Sequence, residues 1–353
     1  MRPEYRDEPC RTALTRVRNM RFKWSLNPYM GCVHRCTFCF VRAFEKVADR
    51  PFDGRYGTSI RVKTNLVEVL RRELAKRTWN REQVVVGTAT DPYQPAEGHF
   101  RLTRDAIEAL GDARTPIGLI TRGPMIVRDV DVLAYASSQA EVGVTFSIPT
   151  LDPTIWRLTE PGTAPPVKRL QSLRVLVDAG IQVSVGMAPI LPGLSDDPAK
   201  MADVVRAARD AGATGVWCNI LHLQPGTREH FLENLARDWP ALLPRYEEIY
   251  RRGPYPDRAE SEPLKARVAA LRRELDVADR RARPLEPPPA PEQLGFWKGG
   301  PDMAPIPPNA RNRAGGAVAV LGHGVRDDGG PDMAPTLHTF GAPRRSRGAP
   351  LFA

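Results

Sequence analysis

Three cysteines within eight residues constrain this chain more than any other feature. They stand in Asn27-Pro-Tyr-Met-Gly-Cys32-Val-His-Arg-Cys36-Thr-Phe-Cys39-Phe-Val-Arg42, with the spacing Cys-x3-Cys-x2-Cys. Thiolates that close repel one another and oxidise readily unless a cation holds them together. The loop beginning at Gly31 can wrap around a metal, and the spacing is expected to carry Cys36 and Cys39 into the following helix one turn apart. An iron–sulfur cluster normally takes four protein thiolates. The two remaining cysteines, Cys10 and Cys218, have no motif spacing to the three. A cluster here would leave one iron open to a ligand that is not protein. The competing reading is a structural zinc site with His34 or Cys10 as fourth ligand. Zinc sites usually pair two knuckles, and no second one is present.

Composition narrows the setting. Five cysteines among 353 residues are too few for a disulfide scaffold, and three clustered ones point to a reducing compartment, with the cytoplasm as the expected location. No run approaches the ~20 apolar residues of a membrane span, and the opening MRPEYRDEPCRT has no apolar core of a secretion signal. The net charge of +10 is unevenly spread: Lys and Arg outnumber Asp and Glu by 7 to 3 over residues 1–30 and by 10 to 6 over 251–283, but only by 27 to 26 over 31–250. Basic flanks can follow a phosphate backbone; a solvated Arg-rich surface accounts for the same charge. Residues 284–353 hold 13 Pro and 11 Gly and repeat GGPDMAP at Gly299–Pro305 and Gly329–Pro335. That composition cannot bury enough apolar surface to fold, so a disordered tail is expected.

Between the flanks, short β-branched runs alternate with helical patterns, the signature of a parallel sheet with crossover helices. The expected strands are Val84–Thr90, Pro116–Thr121, Glu141–Ile148, Gln182–Pro189 and Gly215–Leu221, with Ser59–Lys63 as a shorter extended piece before them. The expected helices are Leu66–Arg77, Thr103–Leu110, Arg128–Ser137, Val167–Ala179 and Pro198–Ala211. Gly111, Gly180 and Gly212 stand where left-handed C-caps belong. Such a chain is an α/β fold, a (β/α) barrel or a doubly wound sheet, with its site at the strand C-terminal ends. Four polar residues, Asp91, Tyr93, Gln94 and Glu97, crowd around Pro92 and Pro95 after a buried strand. Asp91 and Tyr93 are the catalytic candidates among them. Cys218, inside a β run, reads as a small buried hydrophobe. His222, just past the last strand, faces either the mouth or the core.

Cys-x3-Cys-x2-Cys with an aromatic residue, Phe38, before the last Cys resembles the signature of the radical S-adenosylmethionine (radical SAM) enzymes. The longer string NPYMGCVHRCTFCFVR is similar to the spore-photoproduct-lyase-like, or "DNA repair photolyase", branch. The similarity continues in order through GTATDPYQPAE (87–97), LTR (102–104), ITRGPMIVRD (120–129), FSIPTLD (146–152), the stretch ending in Arg169, and APILPGLSD (188–196). QLGF (293–296) looks like the branch's usual end. The resemblance implies a partial (β/α)6 TIM-like barrel over residues 23–250, after a basic leader (1–22) and before a basic helical extension (251–283) and the tail (284–353).

The resemblance also implies cofactors and roles. Cys32, Cys36 and Cys39 would hold a [4Fe–4S] cluster whose open iron chelates S-adenosylmethionine. One electron, from a flavodoxin- or ferredoxin-type donor, would split the cofactor into methionine and a 5′-deoxyadenosyl radical that abstracts hydrogen from a substrate, with nucleic acid one candidate. Phe38 would pack near the adenine, and Thr88, Thr90 and Ser147 would approach the methionine and ribose. Where family enzymes often show a Gly-Gly-Glu-like segment, this chain reads GTATD. Spore photoproduct lyases carry a hydrogen-donating cysteine on the strand equivalent to Val84–Thr90, and here that strand has none; Tyr93 is the candidate substitute. The alternatives are an iron–sulfur protein that binds nucleic acid without this chemistry, or a zinc-stabilised binding module.

Overall fold

The computed structural model describes residues 3–18 and 20–288. Its strands are β1 (Glu4–Asp7), β2 (Leu14–Arg16), β3 (Trp24–Leu26), β4 (Tyr29–Met30), β5 (Ser59–Val62), β6 (Val84–Val86), β7 (Ile117–Thr121), β8 (Val142–Ser147), β9 (Gln182–Ile190) and β10 (Gly215–Ile220). The α-helices are α1 (Val41–Val47), α2 (Leu66–Leu74), α3 (Glu97–Phe100), α4 (Leu102–Asp112), α5 (Val130–Gln139), α6 (Pro153–Thr159), α7 (Pro166–Asp178), α8 (Pro198–Asp210), α9 (Thr227–Asp238), α10 (Leu243–Ile249) and α11 (Arg258–Glu274). No helix among the described residues is long and apolar enough to cross a membrane.

One sheet runs β10-β9-β8-β7-β6-β3-β2. Its six strands from β3 to β10 pair in parallel, and β2 closes the β3 edge antiparallel. Strands that follow one another in chain order, separated by helices, give the partial TIM barrel the sequence leads one to expect. A parallel strand is covered on both faces, so its sequence is a continuous apolar run, as in Val84-Val85-Val86. Alternation still decides which way each side chain points. On β10, Val216, Cys218 and Ile220 are the buried set, while Trp217 and Asn219 line the interior cavity. Buried Val268 and Leu271 of α11 join the main core, which places the helix over β10.

Three local expectations need correction. The first barrel strand is β3, immediately before the cysteine loop, and not Ser59–Lys63: β5 lies between β1 and β4 in a separate three-stranded sheet. Cys36 and Cys39 lie in turns before α1, because Thr37 N–H is drawn to Thr159 O at 2.8 Å. Gly180 and Gly212 do adopt left-handed φ angles of +86° and +90° past α7 and α8, but Gly111 lies inside α4. It is there for packing: a β-carbon at Gly111 would meet Ala136 of α5 at about 3.2 Å. Of the expected tail, 284–353, residues 284–288 are described and start it packed, not free: Leu285 N–H donates to Gly180 O at 2.9 Å and its side chain rests on the main core. The rest, with its repeat and QLGF, lies outside the described residues.

Candidate functional site

The cysteine loop is fixed by the segment that follows β6. Gly87, at φ +88°, makes the turn; a β-carbon there would stand 2.5 Å from Ile120 O, so only glycine lets the chain cross the strand ends this closely. The turn delivers Thr88–Gln94 against the loop. Asn27 Oδ1 accepts from Ala89 N (2.7 Å), and its Nδ2 donates to Thr88 Oγ1 (3.2 Å). Thr90 Oγ1 donates to Gly31 O (2.7 Å). Gln94, fully buried, donates from Nε2 to Gly31 O (3.1 Å) and Thr90 Oγ1 (2.9 Å) and accepts from Val33 N (3.1 Å). On the other side Arg42, buried, donates to Phe52 O (2.6 Å), Asp53 O (2.7 Å) and Cys36 O (3.4 Å). Thr227 at the start of α9 donates to Cys39 O (3.0 Å). Every one of these bonds ends on the loop or beside it.

Replacing Gln94 by methionine, similar in size and apolar, strands the Val33 N–H and weakens the hold on Gly31 O inside the protein. Gly31 O keeps the Thr90 hydroxyl, so a lost stability of about 1–3 kcal/mol is expected from the one unpaired N–H, together with faster loss of iron to a chelator. Equal chelation rates in wild type and variant would show that the loop is held without Gln94.

Cys32, Cys36 and Cys39 line one wall of a cavity that opens at the strand C-terminal ends and encloses about 950 Å³, open solvent at its mouth included. Thr88–Asp91, Ile120–Arg122, Ser147, Ala188–Pro189 and the Trp217–His222 end of β10 form the rest. Burial pushes the Cys36 and Cys39 thiols up, so these sulfurs give up their protons to a bound cation and not to water. Positive groups stand close to the three cysteines. Arg122 stands by Cys36, Arg42 by Cys39, and the His34 imidazole by Cys32. Three thiolates with cationic groups close by form a donor set suited to a multi-iron cluster. No three His, Cys, Asp or Glu side chains among the described residues converge tightly enough to hold a single ion. Cys10 lies elsewhere, with its N–H on Asn65 Oδ1, and is not at hand as a fourth zinc ligand.

The charges behind this wall are themselves buried and paired. Asp91 accepts at Oδ1 from Thr121 Oγ1 (2.7 Å) and Tyr93 N (2.9 Å), and at Oδ2 from Arg122 N (2.7 Å), with His34 Nδ1 3.2 Å away. Burial opposes its charge, but the imidazole and these donors outweigh burial and hold the carboxyl at about 2. Glu160, fully buried, binds Arg122 Nε at 2.7 Å and Arg169 Nη1 at 3.2 Å; burial opposes its charge too, and the two guanidinium groups overcome it. The Arg122 guanidinium carbon lies 5.6 Å from the Phe38 ring centre. Tyr56 places its hydroxyl 3.7 Å from Cys39 Sγ. Burial lowers His222 to about 4, so its imidazole is neutral at the wall, stacked 5.5 Å from Tyr255.

The structure brings most of the sequence candidates together: Cys32, Cys36, Cys39, Phe38, Thr88, Thr90, Asp91 and Ser147 all line the one cavity. Tyr93 is not brought there; it is buried in the main core, with its backbone against Gly123. The Thr90 hydroxyl is spent on the loop, and both Asp91 oxygens are engaged, which makes Asp91 a fixed negative charge. Cys218 faces away from the cavity. Among the lining residues no cysteine stands beyond the three. Sequence reasoning missed Arg122, Glu160, Tyr56, Trp217 and Asn219. The Arg in ITRG and the Glu in TEPG lay inside strings already noted, but only their meeting in space gives them a role.

A wall of three cysteines at the mouth of a six-stranded parallel half-barrel is a donor set suited to an iron–sulfur cluster beside an open cavity. The chain belongs to the Radical SAM superfamily, whose sequence pattern matches residues 26–205. It is 40% identical over 281 residues to an uncharacterized protein of Mycobacterium tuberculosis, covering 78% of this chain and 83% of that one. It is 27% identical over 172 residues to a protein of Pseudomonas phage M6 named as a radical SAM Nalpha-GlyT isomerase, covering 47% and 33%. Among solved structures it shares the fold of a spore photoproduct lyase mutant with bound AdoMet and dinucleoside spore photoproduct, with a TM-score of 0.59, 13% identity, and 77% and 79% coverage. The cofactors of the family, a [4Fe–4S] cluster and S-adenosylmethionine, are those of this protein.

Proposed function

We propose that this protein is a radical SAM enzyme in which Cys32, Cys36 and Cys39 hold the cluster and the cavity beside them holds S-adenosylmethionine. The observation that carries the reading is the three-cysteine wall, with Arg122, Arg42 and His34 beside it, facing the cavity at the strand ends. When bound, the two cofactors supply one-electron cleavage of the sulfonium to methionine and a 5′-deoxyadenosyl radical, which takes hydrogen from the substrate. The chain's own residues do the rest. Gln94, Thr90, Asn27 and Arg42 hold the loop, and Arg122, His34 and Arg42 offset the thiolate charge. Phe38 and Ser147 offer an aromatic face and a hydroxyl to the cofactor. The strand ends, Phe40 and His222 line the cavity, with Tyr255 stacked behind His222, and limit water at the reacting centre.

Nucleic acid is the substrate class to test first. The basic flanks favour it, and the neighbour in fold was solved with a dinucleoside ligand. The lyase reaction is not carried over, since the cavity offers no fourth cysteine as hydrogen donor. The reduced thiolates suit the cytoplasm. The test is anaerobic reconstitution with iron and sulfide, then dithionite and S-adenosylmethionine, with 5′-deoxyadenosine followed by chromatography. Release of 5′-deoxyadenosine and methionine in equal amounts supports the reading, and acceleration by DNA or RNA oligonucleotides supports the substrate class. A fully loaded protein that releases none would leave an iron–sulfur protein without this chemistry.

A further inference from the structure

A second depression lies on the outer surface directly over the cysteine loop. Val33 and Arg35 line it, together with Pro3, Gly57 and Thr58 on one side and Pro161 and Gly162 on the other. Both sides rest on the loop through glycine. A β-carbon on Gly57 would stand 2.3 Å from Cys32 O, and one on Gly162 would stand 2.3 Å from Val33 O. Gly162 N also donates to His34 O at 3.0 Å. Val33 follows Cys32 and Arg35 precedes Cys36, so one residue of backbone separates the depression from each of two cluster ligands. Elsewhere the cysteines are backed by packed side chains: Cys36 by the group that includes Leu191, Leu221 and Phe231, and Cys32 by Val41 and Tyr56. Arg35 lines both the depression and the inner cavity.

Glu4, whose N–H donates to Thr58 O, is paired with Arg6, and Asp53 with Arg55, so the unpaired charge near this thin cover is positive. Arg35 is exposed and donates to Gly54 O, with no carboxylate at ion-pair distance among the described residues. The helices on either side of the 159–162 loop add Arg157, on α6, and Lys168, on α7. Both are exposed, and neither forms an ion pair among the described residues. Electron transfer weakens steeply with distance, so a donor must seat where the cover over the cluster is thinnest. We propose that this depression is the docking surface of the electron donor, a small protein that presents a low-potential one-electron group behind an acidic face. The inference rests on the proposed radical SAM activity. In the step it serves, the donor is oxidised by one electron and the cluster is reduced by one, with no bond made or broken at the interface. Redox encounters of this kind bury little area, below ~1,200 Å². Charge then governs the encounter rate, and salt screens it.

The test separates docking from chemistry by driving the same protein with two reductants. Dithionite reaches the cluster without docking; reduced flavodoxin must dock. Pro161→Glu combined with Lys168→Glu puts negative charge into the surface without touching the cavity. The expected result is a dithionite-driven rate of 5′-deoxyadenosine release within about twofold of wild type. The flavodoxin concentration giving half the maximal rate should rise at least tenfold, and the wild-type rate with flavodoxin should fall as salt rises. An unchanged flavodoxin dependence in the double variant overturns the proposal. So does a loss of oligonucleotide binding with donor kinetics intact, which would give the surface to nucleic acid. If the double variant also loses its dithionite rate, Arg157→Glu on the exposed face of α6 gives the same reading. A wild type inactive with dithionite refutes the proposed activity, and docking is then read from salt-dependent flavodoxin binding to the loaded protein, which the double variant must weaken.

Discussion

Single replacement of Cys32, Cys36 or Cys39 by alanine is expected to leave purified, reconstituted protein without the broad absorbance near about 400 nm of thiolate-bound iron–sulfur centres, and without 5′-deoxyadenosine release. The reason is geometric. Cys10 is tied to Asn65, and Cys218 points from β10 away from the cavity, so no spare thiolate can take over. Cys10→Ala and Cys218→Ala are therefore expected to keep iron, sulfide and activity close to wild type. Loss of the cluster in Cys218→Ala, with the three others intact, would show the ligand set to be wrong.

The second large effect is expected at Glu160. Its carboxylate lies fully buried between Arg122 and Arg169, and Arg169 has no exposure at all. Glu160→Gln keeps the shape and removes the charge, leaving the Arg169 guanidinium inside the protein without a counter-ion and Arg122 with one fewer. Breaking a buried pair in this way costs about 3–5 kcal/mol, to be read as a drop in the urea midpoint at unchanged slope. Because Arg122 also stands by Cys36, the surviving folded protein is expected to lose its cluster faster. A Gln variant as stable as wild type would mean that water or another anion already shares the load.

Much of this was legible in the sequence, and the reasons differ from element to element. The spacing of Cys32, Cys36 and Cys39 is a local property, and so is the apolar run of a buried parallel strand. Five expected strands accordingly correspond to β6 to β10, within one residue at each end except β6, which stops at Val86 instead of Thr90 because Gly87 turns the chain there. The first strand was hidden because Trp24-Ser25-Leu26 is too short to show any period. Ser59–Val62 is β-branched enough to read as a strand, but nothing local says which sheet it joins. Tyr93 looked like a site residue because it lies between two prolines among polar neighbours; its burial depends on Gly123, thirty residues away. The Arg122–Glu160–Arg169 group is a long-range meeting of charges, and only the folded chain displays it. Thr88 and Thr90 line the cavity, and their bonds to Asn27 and Gly31 give them a holding role that spacing does not reveal.

The central claim is that three cysteines hold a cluster against which S-adenosylmethionine binds in this one cavity. Low-temperature electron paramagnetic resonance of the reduced, fully loaded protein, with and without S-adenosylmethionine, tests it most directly. The account predicts about four irons and four sulfides per chain and a spectrum that changes shape on adding S-adenosylmethionine, because the open iron gains new ligands. A loaded protein whose spectrum is the same with and without saturating S-adenosylmethionine would contradict it.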